Sequence, residues 1–329
     1  MFLRRLINSA LVATVAAATA AVSSAHTPAS YKGAISTDAA TGAVLFENNA
    51  DAVSPPASMT KLMTFAVLDD DLRQGTIALD TPVTVTAEDD KVAQLKKSTE
   101  VWLRKGETFP VEELIYAMMI QSANDAAYTL AHKAGGTVSN FVAQMNAKAR
   151  ELGMNHSTFR SPHGFPPPSR RISDGDLTTP RDYSLLCRYL LLHTDILKYT
   201  SVKERTFGAG VRLEPVHMTN HNHLLGKIPG VDGLKTGFTD GAGFCLSATA
   251  LREGHRIIVV MMDSPDSRTR DLNMQELINE AFTAIPMGEG PFVAGEAGVS
   301  SPTRPAAAPT AAPAPADGPR VLYPGLGPR

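Results

Sequence analysis

Apolar and polar positions alternate in distinct ways along the chain. Leu6 to Val22 is a mostly apolar run behind Arg4 and Arg5, followed by the small residues Ser23-Ser24-Ala25. That order predicts a secretory signal peptide over 1–25, cleaved after Ala25, with an uncleaved anchor as the alternative. Lys32 to Asp38 and Ala43 to Asn48 read as two strands reversed at Ala39-Ala40-Thr41-Gly42. Pro55-Pro56-Ala57 opens a buried helix over Ser58 to Asp69, carried by Leu62, Phe65, Ala66 and Leu68. Helical spacing returns at Val111 to Met119 and Ala126 to Ala134, closed by Gly135-Gly136, and at Phe141 to Leu152, stopped by Gly153.

Ser161 to Arg181 holds five prolines and two glycines and predicts a long irregular loop of the kind that borders a site. A helix over Tyr183 to Leu192 follows. Phe244 to Ala250 and Arg256 to Met262 then read as strands joined by a turn at Arg252-Glu253-Gly254-His255. Asp271 to Phe282 is the last helix. From Pro286 the chain turns Pro/Ala-rich, the composition of an extended linker that buries no core. The organisation expected is therefore a signal over 1–25, one folded unit over 26–285 and a disordered tail over 286–329.

Composition narrows the function classes. With 329 residues, 43% of them hydrophobic and 19% charged, the chain can bury a sizeable core. Its net charge of -2 and lack of a basic stripe give no hold on a polyanion, so no nucleic-acid partner is expected. Once 1–25 is removed, nothing in the pattern supports membrane association. Cys187 and Cys245 each lie in an apolar run and read as small core residues, with a single disulfide between them as the alternative. His217, His221 and His223 could grip a metal, but no cysteine or carboxylate cluster stands near them in sequence, so polar loop histidines are expected and no cofactor. His163 and Asp182 read as residues that fix the long loop.

Ser58-Met59-Thr60-Lys61 places a hydroxyl and an amine on one helix face. A lysine made neutral by burial or by a neighbouring cation can take the serine proton, and the helix N-terminus favours the developing negative charge. Ser122-Ala123-Asn124 projects a hydroxyl and an amide from a short link between helices, where an N-cap is the alternative. Lys235-Thr236-Gly237 reads as the start of an edge strand able to pair with an extended peptide. Each triple alone is weak. Their order, S-x-x-K then S-x-N then K-T-G, is the known signature of penicillin-binding proteins and class A β-lactamases.

The chain resembles the serine D-alanyl-D-alanine carboxypeptidases of the low-molecular-mass penicillin-binding class. Beyond the three triples, Asp38, Thr41-Gly42, Met145-Asn146, Glu151-Leu152-Gly153-Met154, Pro162-His163-Gly164, Thr178-Thr179-Pro180-Arg181-Asp182 and Val231-Asp232-Gly233-Leu234 carry the resemblance, which spans roughly residues 30 to 283. It implies an α/β (α+β) fold, an antiparallel sheet flanked by helices with a mainly helical lobe and the site in the cleft between them. It implies Ser58 as nucleophile, Lys61 as general base and Ser122 as proton relay. It further implies Asn124 on the substrate amide, Lys235 and Thr236 at the terminal carboxylate, and the backbone N–H groups of Ser58 and Phe238 as oxyanion hole. Gly237 completes that strand segment. Arg270 is a further carboxylate candidate, with a surface salt bridge as the alternative. The partners implied are a peptidoglycan stem peptide as substrate and β-lactams as covalent inhibitors, in the periplasm or elsewhere outside the cytoplasm. Phe238 stands where many relatives carry histidine or tyrosine, which leaves only its backbone in that role.

Three other readings share these residues. A DD-endopeptidase would use the same apparatus on cross-links. A β-lactamase would add a deacylating carboxylate in the pattern E-x-x-L-N; Glu151 to Asn155 nearly fits, and the loop beyond offers only Asp174, Asp176 and Asp182. A non-catalytic β-lactam sensor would keep the serine and lack turnover.

Overall fold

The computed structural model describes residues 30–285; the expected signal over 1–25 and the tail over 286–329 lie outside the described residues. β1 (Gly33–Asp38) and β2 (Val44–Asn48) form the first hairpin. Its reversal is held by Asp38, whose Oδ1 accepts from the Thr41 amide and hydroxyl at 2.7 and 2.8 Å, and by Gly42 at φ 78°. One 3₁₀ turn over Ala57–Thr60 then runs into α1 (Lys61–Gln74). The helix outlasts the apolar run that ended the expectation at Asp69, because Arg73 reaches back to Asp69 one turn earlier and Gly75 caps it at φ 73°.

The stretch that gave no clear pattern holds β3 (Pro82–Thr84), α2 (Ala87–Val92) and β4 (Thr108–Pro110). Next come α3 (Val111–Tyr116), a π-helical turn over Ala117–Gln121, α4 (Asn124–Gly135) and α5 (Val138–Glu151). The Pro-rich loop ends three residues before the sequence helix was expected to begin, because Thr179 caps α6 (Pro180–His193) by accepting from the Asp182 amide and proline suits its first turn. α7 (Ile196–Thr200) and the small hairpin β5 (Glu204–Phe207) and β6 (Val216–Thr219) precede three long strands: β7 (Val231–Thr239), β8 (Gly243–Arg252) and β9 (His255–Ser264). α8 (Ser267–Ala284) starts before the expected Asp271 because Asp266 caps it through the Thr269 amide.

The main sheet is antiparallel, in the order β2-β1-β9-β8-β7. Its central strand β9 is buried on both faces, which explains the unbroken apolar run from Ile257 to Met262. Ile258, Val260 and Met262 join the core shared with the helical lobe, whereas Ile257, Val259 and Met261 pack with Met274, Leu277 and Ile278 of α8. Each such side chain contributes about 1.5–3 kcal/mol when fully buried. Cys187 on α6 and Cys245 on β8 sit in the lobe-side core as free thiols, so the disulfide alternative does not hold. β7 is an edge strand, and Lys235 lies in its middle rather than at its entry.

Candidate active site

The 3₁₀ turn carrying Ser58 is pressed between two glycines. Ala57, just before the serine, takes φ 48°, a left-handed conformation that costs an L-residue roughly 1–2 kcal/mol. A Cβ on Gly164 would lie 1.9 Å from the Ala57 carbonyl oxygen, and one on Gly237 would lie 2.4 Å from that of Pro56. The glycine of the K-T-G triple is therefore required by the approach of β7 to the serine turn. On the other side, the Thr60 hydroxyl donates to Asp176 Oδ2 at 2.8 Å, and the same carboxylate accepts from the Arg160 amide at 2.6 Å and from the Ser161 amide and hydroxyl at 3.0 Å. The turn is thus locked to the Pro-rich loop.

Lys61 opens α1 and is wholly buried. Its Nζ lies 3.0 Å from Ser58 Oγ, 2.6 Å from Asn124 Oδ1 and 2.9 Å from the His163 carbonyl oxygen. A neutral amine has two N–H donors and one lone pair. Two carbonyl-type oxygens take the donors, which leaves the lone pair for the one partner that can donate, the Ser58 hydroxyl. Burial first, and then the Lys235 cation, hold Lys61 well below the usual lysine range, against the opposing pull of Asp125 and Asp176.

Ser122 ends the π-helical turn at φ 62°, buried between α3 and α4. Asn124 begins α4, yet its side chain makes no capping bond: Oδ1 faces Lys61 while Nδ2 donates to Ser98 Oγ at 2.8 Å. The N-cap alternative for this triple is thereby replaced by a bridge between the lysine and the loop before β4. That loop is fastened to α4 by the Asn124 amide donating to Thr99 at 2.7 Å and by Asp125, which accepts from the Val101 and Leu103 amides. Glu100 lies among these ties, 8% exposed, and burial pushes its carboxyl up to about 7 even though it accepts from Ser98.

Lys235 is buried, with Nζ donating to the Thr236 carbonyl at 3.2 Å, and burial together with Arg270 brings its pKa down to about 7. Arg270 is itself buried and bonds Asp271 Oδ1 through two nitrogens at 2.9 and 2.7 Å, while Asp271 stays partly exposed. His221 stays neutral beside them, its pKa lowered to about 4 by burial and then by Lys235 and Lys61. Thr236 is buried on the same strand, and Phe238 stands half exposed, stacked on Phe244 at 4.2 Å. A cleft of about 650 Å³ opens over Ser58, Asn124 and Phe238.

Other expected residues go elsewhere. His223 meets Asp271 at 3.1 Å and His217 stands near Glu204 across the β5–β6 hairpin; among the described residues no metal-ligating group of three converges. His163 accepts the Phe165 amide on Nδ1 within the long loop, and Asp182, in the first turn of α6, accepts from the His156 amide and Ser157 hydroxyl just before that loop. Glu151 points outward at the end of α5, 65% exposed and paired with Lys148. Among the described residues, no helix is long and apolar enough to cross a membrane. The sequence reading missed Ser98, Glu100, Thr60 and the role of Asp176 at the serine turn, because nothing local marks contacts made across such long separations.

Residues 17–266 match the family model described as D-alanyl-D-alanine carboxypeptidase. The chain is 30% identical over 252 residues to D-alanyl-D-alanine carboxypeptidase DacF of Bacillus subtilis, covering 77% of this chain and 62% of that protein. It is 34% identical over 248 residues to DacC of Escherichia coli, covering 74% and 59%. It thus spans about six-tenths of the length of these relatives. Penicillin-binding protein D2 of Listeria monocytogenes, solved in an ampicillin-bound form, superposes with a TM-score of 0.68 at 31% identity, over 78% of this chain and 99% of that one. With Gly237 packed against the serine turn, Asn124 bonded to Lys61 and residues 17–266 matched by the family model, this chain belongs to the D-alanyl-D-alanine carboxypeptidase family.

Proposed function

We propose that this chain is a serine D-alanyl-D-alanine carboxypeptidase that trims peptidoglycan stem pentapeptides outside the cytoplasm. Ser58 Oγ attacks the carbonyl of the penultimate D-alanine as its proton passes to Lys61 Nζ. The oxyanion is received by the backbone N–H groups of Ser58 and Phe238. Ser122 relays a proton to the departing D-alanine amine, and water then releases the acyl chain. Asn124 holds the substrate amide. Lys235, Thr236 and Arg270 receive the terminal carboxylate, whose arrival favours the charged form of Lys235.

The observation that carries this reading is the placement of Lys61, buried, within 3.0 Å of Ser58 and with both its N–H donors committed elsewhere. A β-lactam carbonyl would occupy the same position and acylate the same serine. Glu151 faces away from the cleft, which favours a peptidase over a class A β-lactamase. The test is D-alanine release from a pentapeptide ending in D-Ala-D-Ala, with intact-mass detection of a penicillin adduct. Ser58→Ala should lose both, and an adduct retained in that variant would remove Ser58 as nucleophile.

A further inference from the structure

Four cationic side chains line the mouth of the cleft: Lys96 and Lys97 from the loop before β4, and Arg170 and Arg171 from the Pro-rich loop opposite. All four are exposed. Within the described residues none of them forms an ion pair. Elsewhere the pattern is different: Arg181, Arg205, Arg212 and Arg256 each reach a carboxylate at 2.8 Å or less. At the mouth the acidic complement is small. Asp240 lines the cleft, Asp176 is buried and already bonded to Thr60 and Ser161, and Asp174 feels Arg171 without pairing to it. A chain of net charge -2 therefore gathers unpaired positive charge from two separate segments around one opening. Lys97 is an exposed turn residue held at φ 62°, in the left-handed region.

We propose that this rim is a second anion-recognition site, which binds a carboxylate on the part of the peptide upstream of the scissile D-Ala-D-Ala. The inference rests on the carboxypeptidase reading of the cleft. Lys235 and Arg270 lie buried at the strand end of the site, so a substrate with negative charge at both its terminus and its upstream residues meets positive charge at both. Cations facing one cleft focus the field there and raise the local concentration of an anionic ligand. Two sources carry the upstream charge: a carboxylate on the side chain of the diamino residue, as in diaminopimelate, or the free α-carboxylate of a γ-linked glutamate. A lysine at the diamino position supplies only a cation and is disfavoured.

The experiment compares D-alanine release by the full chain from four pentapeptides: diaminopimelate or lysine at the third position, combined with free or amidated glutamate at the second. Removing the recognised carboxylate should lower kcat/KM roughly three- to tenfold, the scale of exposed charge pairs acting together, and the preference should fade as salt rises. The arm that carries the loss identifies the source. In the variant Lys96→Gln, Lys97→Gln, Arg170→Gln, Arg171→Gln the preference should vanish, while penicillin acylation, which uses no upstream carboxylate, stays within twofold of the native rate. Equal kcat/KM for all four peptides, or a preference that persists in the variant, overturns the rim proposal. Absence of D-alanine release from every peptide overturns the carboxypeptidase reading instead.

Discussion

Replacing Gly164 by alanine tests how tightly the serine turn is held. The new Cβ would sit 1.9 Å from the Ala57 carbonyl oxygen, whereas real Cβ contacts essentially never fall below 3.0 Å. The backbone beside Ser58 must therefore move by about 1 Å. The same Cβ would lie 2.9 Å from Thr60 Oγ1, so the Thr60–Asp176 bond opposes that movement. A misplacement of ~1 Å at a reacting group costs on the order of 10²-fold in rate. Gly164 also has φ 76°, and an L-residue there adds roughly 1–2 kcal/mol of backbone strain. Gly75→Ala separates the two effects, because Gly75 has φ 73° and nothing within 4 Å of the added carbon. The assay is the second-order rate of acylation by a fluorescent penicillin, with Tm measured on the same samples. Gly75→Ala should lower Tm by about 2–4 °C per kcal/mol and leave acylation intact, while Gly164→Ala should lower Tm at least as far and slow acylation ~10²-fold. Acylation by Gly164→Ala within threefold of the native rate would refute the claim that this glycine sets the position of Ser58.

Acylation should fall as pH drops through the Lys61 ionisation, since protonation removes the lone pair that receives the serine proton. Lys61→Arg keeps the cation and forbids that loss, so its acylation rate should drop ~10²–10⁴-fold; near-native acylation would make Lys61 only an electrostatic neighbour. Lys235→Gln removes one of the causes of the low Lys61 pKa, so the acid limb of a pH–acylation profile should move to higher pH, and an unmoved limb would sever the link between the two lysines. Glu100 is held protonated up to about 7 against an ordinary 4.5, so its contribution to stability is complete below pH 4.5 and lost as pH rises through 7. At ~1.4 kcal/mol per pH unit, reduced by screening at the loop edge, the loss is up to about 2 kcal/mol; urea unfolding of Glu100→Gln, which has no proton to release, should show none of it.

The parts of the fold that were legible in the sequence are those fixed by near neighbours. The apolar run of β9, the Gly254 turn after β8 and the glycine stops of α4 and α5 are all local signals. The short pieces β3, α2 and β4 were not legible. Two of them are three-residue strands defined by pairing Pro82–Thr84 with Thr108–Pro110, more than twenty residues away in sequence. The starts of α6 and α8 were read late for a related reason: their first turns are polar and are set by the caps Thr179 and Asp266, not by apolar periodicity.

The site divides along the same line. The three triples were visible as letters, but the letters conceal three different physical causes. Lys61 and Lys235 are both driven toward neutrality by burial, and residue type alone gives no reason to assign one as base and the other as charge. Position supplies it. Lys61 has the serine 3.0 Å away and the Lys235 cation in the field around it, whereas among the described residues Lys235 donates to the adjacent Thr236 carbonyl and lies beside Arg270. On that arrangement Lys61 is the amine placed to take the serine proton. Gly237 contributes through what it lacks, since any side chain there would strike the carbonyl of Pro56 and force β7 away from the serine turn. A substitution at Gly237 should therefore impair acylation even by β-lactams that make no use of Lys235, because the damage is to the placement of Ser58 and not to recognition of the carboxylate.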